Sequence, residues 1–419
     1  MNQKEKSSLK QMVPELRFPE FAHSGDWENT FLGKLCSITT GKLDANAMIP
    51  NGKYRFYTCA KDFYYINDFA FDTDALLISG NGANVGYIHH YKGKFNAYQR
   101  TYVLDKFSQD IIYIKYFLDS NLSKRISTEK KEGNTPYIVM AALTEMNVTL
   151  PSLPEQQKIA DCLSSLDNVI SLESQKLQSL QSYKKGLLQN LFPREGETVP
   201  KLRFPEFVGK GDWEERKLGE VYTFIVTNSL SRDQLNYSNG EFKNIHYGDI
   251  HTKFSTLFDI TKEIVPYVNQ GEAFNKIKTR TICEAGDIII ADASEDLADI
   301  GKSIEIVHLN NEKLISGLHT IHARPVKEKF VIGFGGYLFK SPKIRSQIQR
   351  IAQGAKVLGI SASKLSLIPI SFPSLPEQQK VADCLSSVDA LIQEQSERVE
   401  GLKSHKKGLL QGLFPVMGE

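Results

Sequence analysis

Two long stretches of the chain carry apolar residues at steps of three and four. The first runs Ile159, Leu163, Leu166, Ile170, Leu177, Leu180, Leu187 and Leu191, with Glu173 and Lys184 as polar members of the same seam. The second runs Val381, Leu385, Val388, Ile392, Val399, Leu402, Leu409 and Leu413, with Gln395 and Lys406 in the polar slots. Such spacing winds one apolar stripe around a helix, and sustained over several turns it predicts a coiled-coil seam. Pro154 stands at a helix start, with Glu155 in the first turn where the helix dipole favours an acid. A helix of about 38 residues spans about 57 Å, with nothing to break it before Gly186 or Gly408. Each seam needs a partner, so the two helices are expected to pack antiparallel on each other as a rigid rod.

The helices belong to a larger repeat. VPELRFPEF at Val13–Phe21 returns as VPKLRFPEF at Val199–Phe207, and GDWE at Gly25–Glu28 returns at Gly211–Glu214, both at an offset of 186. The only two tryptophans, Trp27 and Trp213, lie in this element. PSLPEQQKIADCLSSLD at Pro151–Asp167 returns at Pro373–Asp389, and KKGLLQNLFP at Lys184–Pro193 returns at Lys406–Pro415, now at an offset of 222. A shared scaffold therefore brackets two inserts, Thr30–Leu150 and Arg216–Phe372, that share almost no identity. Drift would not spare the helices while erasing the inserts, so the duplication points to two similar but non-equivalent sites around a pseudo-twofold.

Inside the inserts, short β-branched and aromatic runs are broken by Gly, Asn and Asp. Ala75–Ser79 and Asp287–Ala291 read as buried strands. Helical patterns at Ile111–Lys131 and Val331–Ala352 close each insert ahead of Gly133 and Gly354. The expected fold class is α+β: two mixed α/β domains at opposite ends of an antiparallel coiled coil. Its parts are residues 1–150 (repeat element 13–33), the helix 151–193, residues 194–372 (repeat element 199–219), and the helix 373–419.

Composition is that of a soluble globular protein, with 41% hydrophobic and 24% charged residues, which excludes disorder. The charged start MNQKEKSSLK precedes no apolar run, and no stretch approaches a membrane span, so a cytoplasmic protein with no membrane contact is expected. Cys36, Cys59, Cys162, Cys283 and Cys384 show no pairing or CxxC spacing, and reduced thiols are expected. A formal charge of +2 gives no global attraction to nucleic acid. A local patch does, because Lys329–Pro376 holds seven Lys or Arg and no acid.

Fragments that imitate catalytic motifs fail on inspection. Asn134-Thr135-Pro136-Tyr137 is similar to the Asn-Pro-Pro-Tyr loop of adenine N6 methyltransferases but lacks one proline and any Gly-rich turn for S-adenosylmethionine. Ile300–Ser303 supplies half a P-loop, with Asp296 where a glycine is required. Asp233 with Glu241-Phe242-Lys243 occurs once, in a polar loop. His89-His90 and His319-x-x-His322 have no cysteine or acid at ligand spacing, so no metal and no catalytic residue is expected.

Amides, guanidinium groups, hydroxyls and glycines suit base edges and close backbone approach instead. The DNA-contact candidates in the first insert are Lys42, Tyr57, Lys61, Ser79, Asn81, Asn84, His89, Gln99, Arg100, Lys124, Arg125, Asn134 and Thr135. Those in the second are Ser229, Ser231, Arg232, His246, Tyr247, Asp249, Ser294, Glu295, His319, Lys343, Arg345 and Lys356. Lys124, Arg125, Lys343, Arg345 and Lys356, on or beside the late helices, suit phosphate contact, which positions without specifying.

The L-x-E-Q-x-x-I/V-A-x-x-L openings at Leu153 and Leu375, the K-x-x-L-L-Q-x-L-F endings, the repeated R-F-P-E-F and G-D-W-E elements and the unlike inserts together resemble the specificity subunit of type I restriction-modification enzymes. The resemblance covers nearly the whole chain. It implies two target recognition domains, each reading half of a split double-stranded DNA target, and a helix pair that sets the spacing. It also implies docking of two modification subunits and, with them, two restriction subunits. S-adenosylmethionine, ATP and magnesium would then be bound by the partners and not by this noncatalytic chain. Recognition domains diverge to change specificity, so base-contacting residues are not carried over from the family. Two other classes compete: an enzyme acting alone on DNA, and a coiled-coil scaffold that binds only protein.

Overall fold

The computed structural model describes residues 13–129, 136–271 and 279–415. They form two compact units, one comprising the chain up to Ser174 and again from Glu397, the other Gln175–Ser396. The first unit contains strands β1 (Glu28–Phe31), β2 (Ser37–Thr40), β3 (Tyr54–Tyr57), β4 (Tyr64–Ile66), β5 (Phe71–Ser79), β6 (Ile88–Ala97), β7 (Thr101–Asp105) and β8 (Asn147–Leu150). Its helices are α1 (Leu32–Leu35), α2 (Ile111–Glu129), α3 (Met140–Thr144) and the start of α4 (Leu153–Asn190). Six strands form one sheet in the order β2-β7-β5-β6-β3-β4, in which β3 alone runs parallel to its neighbour β6.

β5 explains the continuous apolar run in the sequence. Leu76 and Ile78 pack with Leu104, Ile114 and Phe117, while Ala75 and Leu77 pack with Tyr57, Phe95 and Val103. Successive side chains leave opposite faces of a strand, and here both faces are covered.

The second unit contains β9 (Glu214–Lys217), β10 (Tyr222–Ile225), β11 (Leu235–Asn236), β12 (Phe242–Ile245), β13 (Leu257–Asp259), β14 (Tyr267–Val268) and β15 (Ile288–Ala291). It continues with β16 (Ala293–Ser294), β17 (Ser303–His308), β18 (Lys313–Ser316), β19 (Thr320–Pro325), β20 (Leu358–Gly359) and β21 (Pro369–Phe372). Its helices are α5 (Leu218–Val221), α6 (Tyr247–Thr252), α7 (Phe334–Leu338), α8 (Pro342–Ile351), α9 (Ala362–Leu365), the end of α4 and the start of α10 (Leu375–Leu413) as far as Ser396. The sheet β10-β19-β15-β17-β13 repeats the order of the first unit, again with one parallel pair, β13 and β17. A second sheet, β11-β14-β12-β18, has no counterpart in the first unit and takes up much of the greater length of the second insert.

The late helical pattern of the second insert departs from expectation. Val331–Ala352 is not one helix but two, α7 and α8. Ser341 is extended (ψ 144°) and Pro342 opens α8 at its first turn, where its missing N–H costs nothing. α4 and α10 run on past Gly186 and Gly408, to Asn190 and Leu413.

α4 and α10 link the two units, each beginning in one and ending in the other. In the first unit Asp167 meets Lys406 at 2.6 Å and Glu173 meets Arg398 at 2.9 Å, so the helices run antiparallel. The second unit repeats the first of these pairs with Lys184 and Asp389. A tyrosine completes each: Tyr116 donates to Asp167 at 2.7 Å and Tyr337 to Asp389 at 2.8 Å, with the lysine over its ring. The expected seam positions are all buried or half-buried.

The repeated motifs meet in space. Arg17 of the R-F-P-E-F element grips Glu155 with two bonds of 2.7 and 2.8 Å, and Arg203 grips Glu377 with two of 2.8 Å. Gln156 accepts from Asp110 N–H and donates to Pro151 O; Gln378 accepts from Val331 N–H and donates to Pro373 O. All four Glu and Gln side chains are buried. Removing one member of a buried pair leaves the other charge stranded. Arg17→Ala and Glu155→Ala are each expected to destabilise the chain by about 3 kcal/mol, and the double variant by less than their sum. Equilibrium urea unfolding of the four proteins checks this, and additive losses would show that the pair is not coupled.

Candidate nucleic-acid interface

In the first unit, five loop segments converge on one surface. Gly80 N–H donates to Arg100 O at 2.8 Å, Ile138 N–H to Gly80 O at 2.8 Å, and Gly82 N–H to Pro136 O at 3.0 Å. Asn84 Nδ2 donates to Cys59 O at 3.0 Å, His89 Nε2 lies 3.0 Å from Ala60 O, and Gln99 N–H donates to Leu43 O at 2.9 Å. The close approach needs Gly80, since a Cβ there would lie 2.3 Å from Arg100 O. Lys42, Lys61, Gln99 and Arg100 are exposed at this surface and Asn81 is half-buried. Tyr137, absent from the sequence-based candidates, is 57% exposed beside them. Its only signal in the sequence was an aromatic ring within a failed methyltransferase motif.

Other candidates prove structural. Tyr57 is a core residue packed edge-on against Phe95, and Ser79 is fully buried in β5. Asn84 Nδ2 and His89 Nε2 hold the 59–60 segment, and burial lowers the His89 pKa. His89 and His90 face opposite sides of β6, His90 pairing with Asp74 at 2.7 Å, so they form no joint ligand set. Lys124 is exposed on α2 and Arg125 half-buried. Asn134 and Thr135 lie outside the described residues.

The second unit builds an aromatic and histidine cluster. Tyr247 packs against His246 (4.6 Å between ring centres), His319 (5.3 Å) and His251 (6.1 Å). His319, at φ 54°, lies 3.3 Å from Asp292 Oδ1, and burial raises the Asp292 pKa. Asp249 is buried and holds Arg232 at 3.2 Å and Lys253 at 2.9 Å, which makes it an anchor for exposed cations rather than a base reader. His246 is buried, accepting from Gly248 N–H, and Ser231 closes a capping box with Gln234. Ser229, Glu295 and Lys356 are exposed, and Ser294 lies in β16.

The acid-free basic run is not an open stripe. Lys329 pairs with Glu214, Lys343 with Glu215 and Ser371, Arg350 with Glu195, and Arg345 Nη2 donates to Ala298 O. Lys343 is thereby removed from the phosphate contacts: the missing acids arrive from distant parts of the chain. The metal-ligand expectation also needs correction, because Cys283 and Asp287 do flank His322, with ligand atoms within 4.8 Å. Arg324 donates to both Asp287 oxygens at 2.9 and 2.8 Å, so the carboxylate is neutralised and a cation there would be repelled.

Beneath the unlike side chains, the two surfaces share one backbone pattern. Asp292 N–H donates to His319 O and Ile360 N–H to Asp292 O, as Gly80, Arg100 and Ile138 do in the first unit. Gly86 and Gly301 close the two loops at φ 83° and 68°. The family model described as type I restriction modification DNA specificity domain matches residues 24–182 and 210–401. The chain belongs to this family.

Among relatives, the chain is 39% identical over 181 residues to the EcoDI specificity subunit of Escherichia coli, a match covering 42% of this chain and 40% of that one. It is 26% identical over 423 residues to the MjaVIII specificity subunit of Methanocaldococcus jannaschii, covering 95% of this chain and 93% of that one. The crystal structure of the type I restriction-modification S subunit from M. genitalium shares the fold, with a TM-score of 0.62 at 16% identity over 97% of this chain and 100% of that one. Within such a fold, core and surface candidates separate by stability. Tyr57→Ala is expected to cost about 3 to 5 kcal/mol, and Gln99→Ala under about 0.5 kcal/mol. Urea unfolding midpoints measure both, and an unshifted midpoint for Tyr57→Ala would place its ring outside the core.

Proposed function

We propose that the chain is the noncatalytic specificity subunit of a type I restriction-modification complex, each unit reading one half of a bipartite double-stranded DNA target. One observation carries this reading: two loop surfaces keep the same backbone pattern while their exposed side chains differ, within a frame whose motifs recur almost unchanged. A duplicated reader with two specificities needs that division. In the first half-site, Lys42, Lys61, Arg100 and Lys124 suit phosphates, while Asn81, Gln99 and Tyr137 suit bases. In the second, Arg232 and Lys356 suit phosphates, while Tyr247, His319, Ser294 and Glu295 suit bases.

The linking helices set the unread spacer and dock the modification subunits. Val169 and Leu391, which correspond in the repeat, are both exposed apolar residues (40% and 50%), as one docking patch per copy requires. Two modification subunits would bind there, with two restriction subunits joining them, and S-adenosylmethionine, ATP and magnesium would be held by those partners. Among the described residues no helix is long and apolar enough to cross a membrane, and a complex that acts on DNA inside the cell would work in the cytoplasm.

Methylome sequencing of a host carrying the chain with its modification subunit tests this directly, the expected result being one split methylated motif. Exchange of Thr30–Leu150 for another recognition insert should change one half-site only. One extra helical turn within Glu173–Leu180, about 5 to 6 Å, should alter the spacer and leave both half-sites intact. Methylation without sequence preference would favour the protein-only scaffold. Turnover by the isolated chain with DNA, S-adenosylmethionine, ATP and magnesium would favour a self-sufficient enzyme.

A further inference from the structure

A cleft of about 490 Å³ in the second unit opens among α6, β17 and α8, beneath the loop that carries Ser294 and Glu295. Three buried polar atoms of its lining residues meet no hydrogen-bond partner among the described residues: His251 Nδ1, Ser303 Oγ and Arg345 Nη1. Buried polar groups are normally satisfied; with His251 Nε2 donating to Ala293 O, its Nδ1 is an acceptor, and the two orphan donors, Ser303 Oγ and Arg345 Nη1, call for an acceptor ligand.

The charge of the lining says which kind. Lys340 Nζ donates to Thr256 Oγ1 at 2.5 Å, Arg345 Nη2 donates to Ala298 O at 2.9 Å, and neither is bonded to a carboxylate among the described residues. Lys302, shared between Asp299 at 2.9 Å and His251 O at 3.2 Å, adds a third cation. Burial, with Lys184, Lys302 and Arg345 nearby, holds Lys340 down to about 8, and burial lowers Arg345 as well. These half-buried cations outnumber the acids near them, Asp299 and Asp389, and an anion would relieve the excess.

The first unit supplies the control. A cleft of the first unit beside Gly86 is lined by Tyr87, Leu118 and Ser123 and by one balanced pair, Lys115 with Asp119 at 2.7 Å. The first cleft thus balances its one cation with an acid, whereas the second gathers Lys302, Lys340 and Arg345 around Asp299.

We propose that this cleft binds a tetrahedral phosphoryl oxyanion through Lys302, Lys340 and Arg345, with Ser303 Oγ as a further donor. The guanidinium fork matches such an oxyanion, and charge-assisted bonds are the strong ones. Arg345 already holds Ala298 in the overlying loop, so a bound anion would tie that loop to α8 and brace Ser294 and Glu295. The anion is either free phosphate, alone or on a small phosphorylated molecule, or a phosphodiester of duplex DNA. The free-phosphate arm stands independently of the specificity reading; the duplex arm rests on it.

The test uses the full chain, wild type, Lys340→Leu and Arg345→Gln. Inorganic phosphate is titrated against chloride at constant ionic strength, read by melting temperature and by phosphorus-31 linewidth. A free-anion site predicts a saturable rise in melting temperature and broadening for wild type, with affinity at least tenfold weaker in each variant. A DNA site predicts instead that the slope of log affinity against log salt, measured with duplex DNA, loses about one unit per cation removed. Either result supports the proposal and names its source. Wild-type responses equal in phosphate and chloride, together with unchanged salt slopes in the variants, would overturn it. Should Arg345→Gln fail to fold, Lys340→Leu decides, since it places in this cleft the kind of side chain that Leu118 provides in the other.

Discussion

The bidentate grip of an arginine on a buried glutamate at the start of each long helix is the constraint on which the rest of the structure depends. Glu155 and Glu377 are almost fully buried, where a carboxylate survives only if paired and hydrogen-bonded. Arg17 and Arg203 provide that pairing from the R-F-P-E-F elements. The next residue, Gln156 or Gln378, fastens the late helical region of the insert to the same point. A divergent insert is thus held at both ends by groups that belong to the frame, which allows its surface to change without loosening its seat.

A second constraint acts between the helices. The apolar seam alone would tolerate sliding, because one heptad resembles the next. The Lys–Asp pairs, each with a tyrosine hydroxyl on the same carboxylate, have one register in which all three groups meet. Since the tyrosines Tyr116 and Tyr337 come from the inserts, helix register and insert orientation are specified together.

The reading surfaces follow from a separation of backbone and side chain. Gly80 and Asp292 occupy the same place in a hydrogen-bond pattern made of N–H and C=O groups alone. Backbone groups are common to all residues, so the pattern outlasts replacement of nearly every side chain above it. The same separation lets one cleft be neutral in the first unit and cationic in the second.

Read alone, the sequence determined the repeat, the two helices and their seam, the buried strands β5 and β15, and the family. These rest on local periodicity or identity, which a linear chain displays directly. What only the tertiary structure decided is which polar groups are free. Tyr57 and Ser79 carry suitable chemistry but lie inside the sheet. Lys343 is committed to Glu215, far along the chain, and Asp249 to Arg232 and Lys253. Cys283, Asp287 and His322 meet although no spacing announces it. The common skeleton of the two inserts was equally hidden. Burial and pairing depend on contacts between residues distant in sequence, and hydrogen bonds between main chains leave no trace in residue identity.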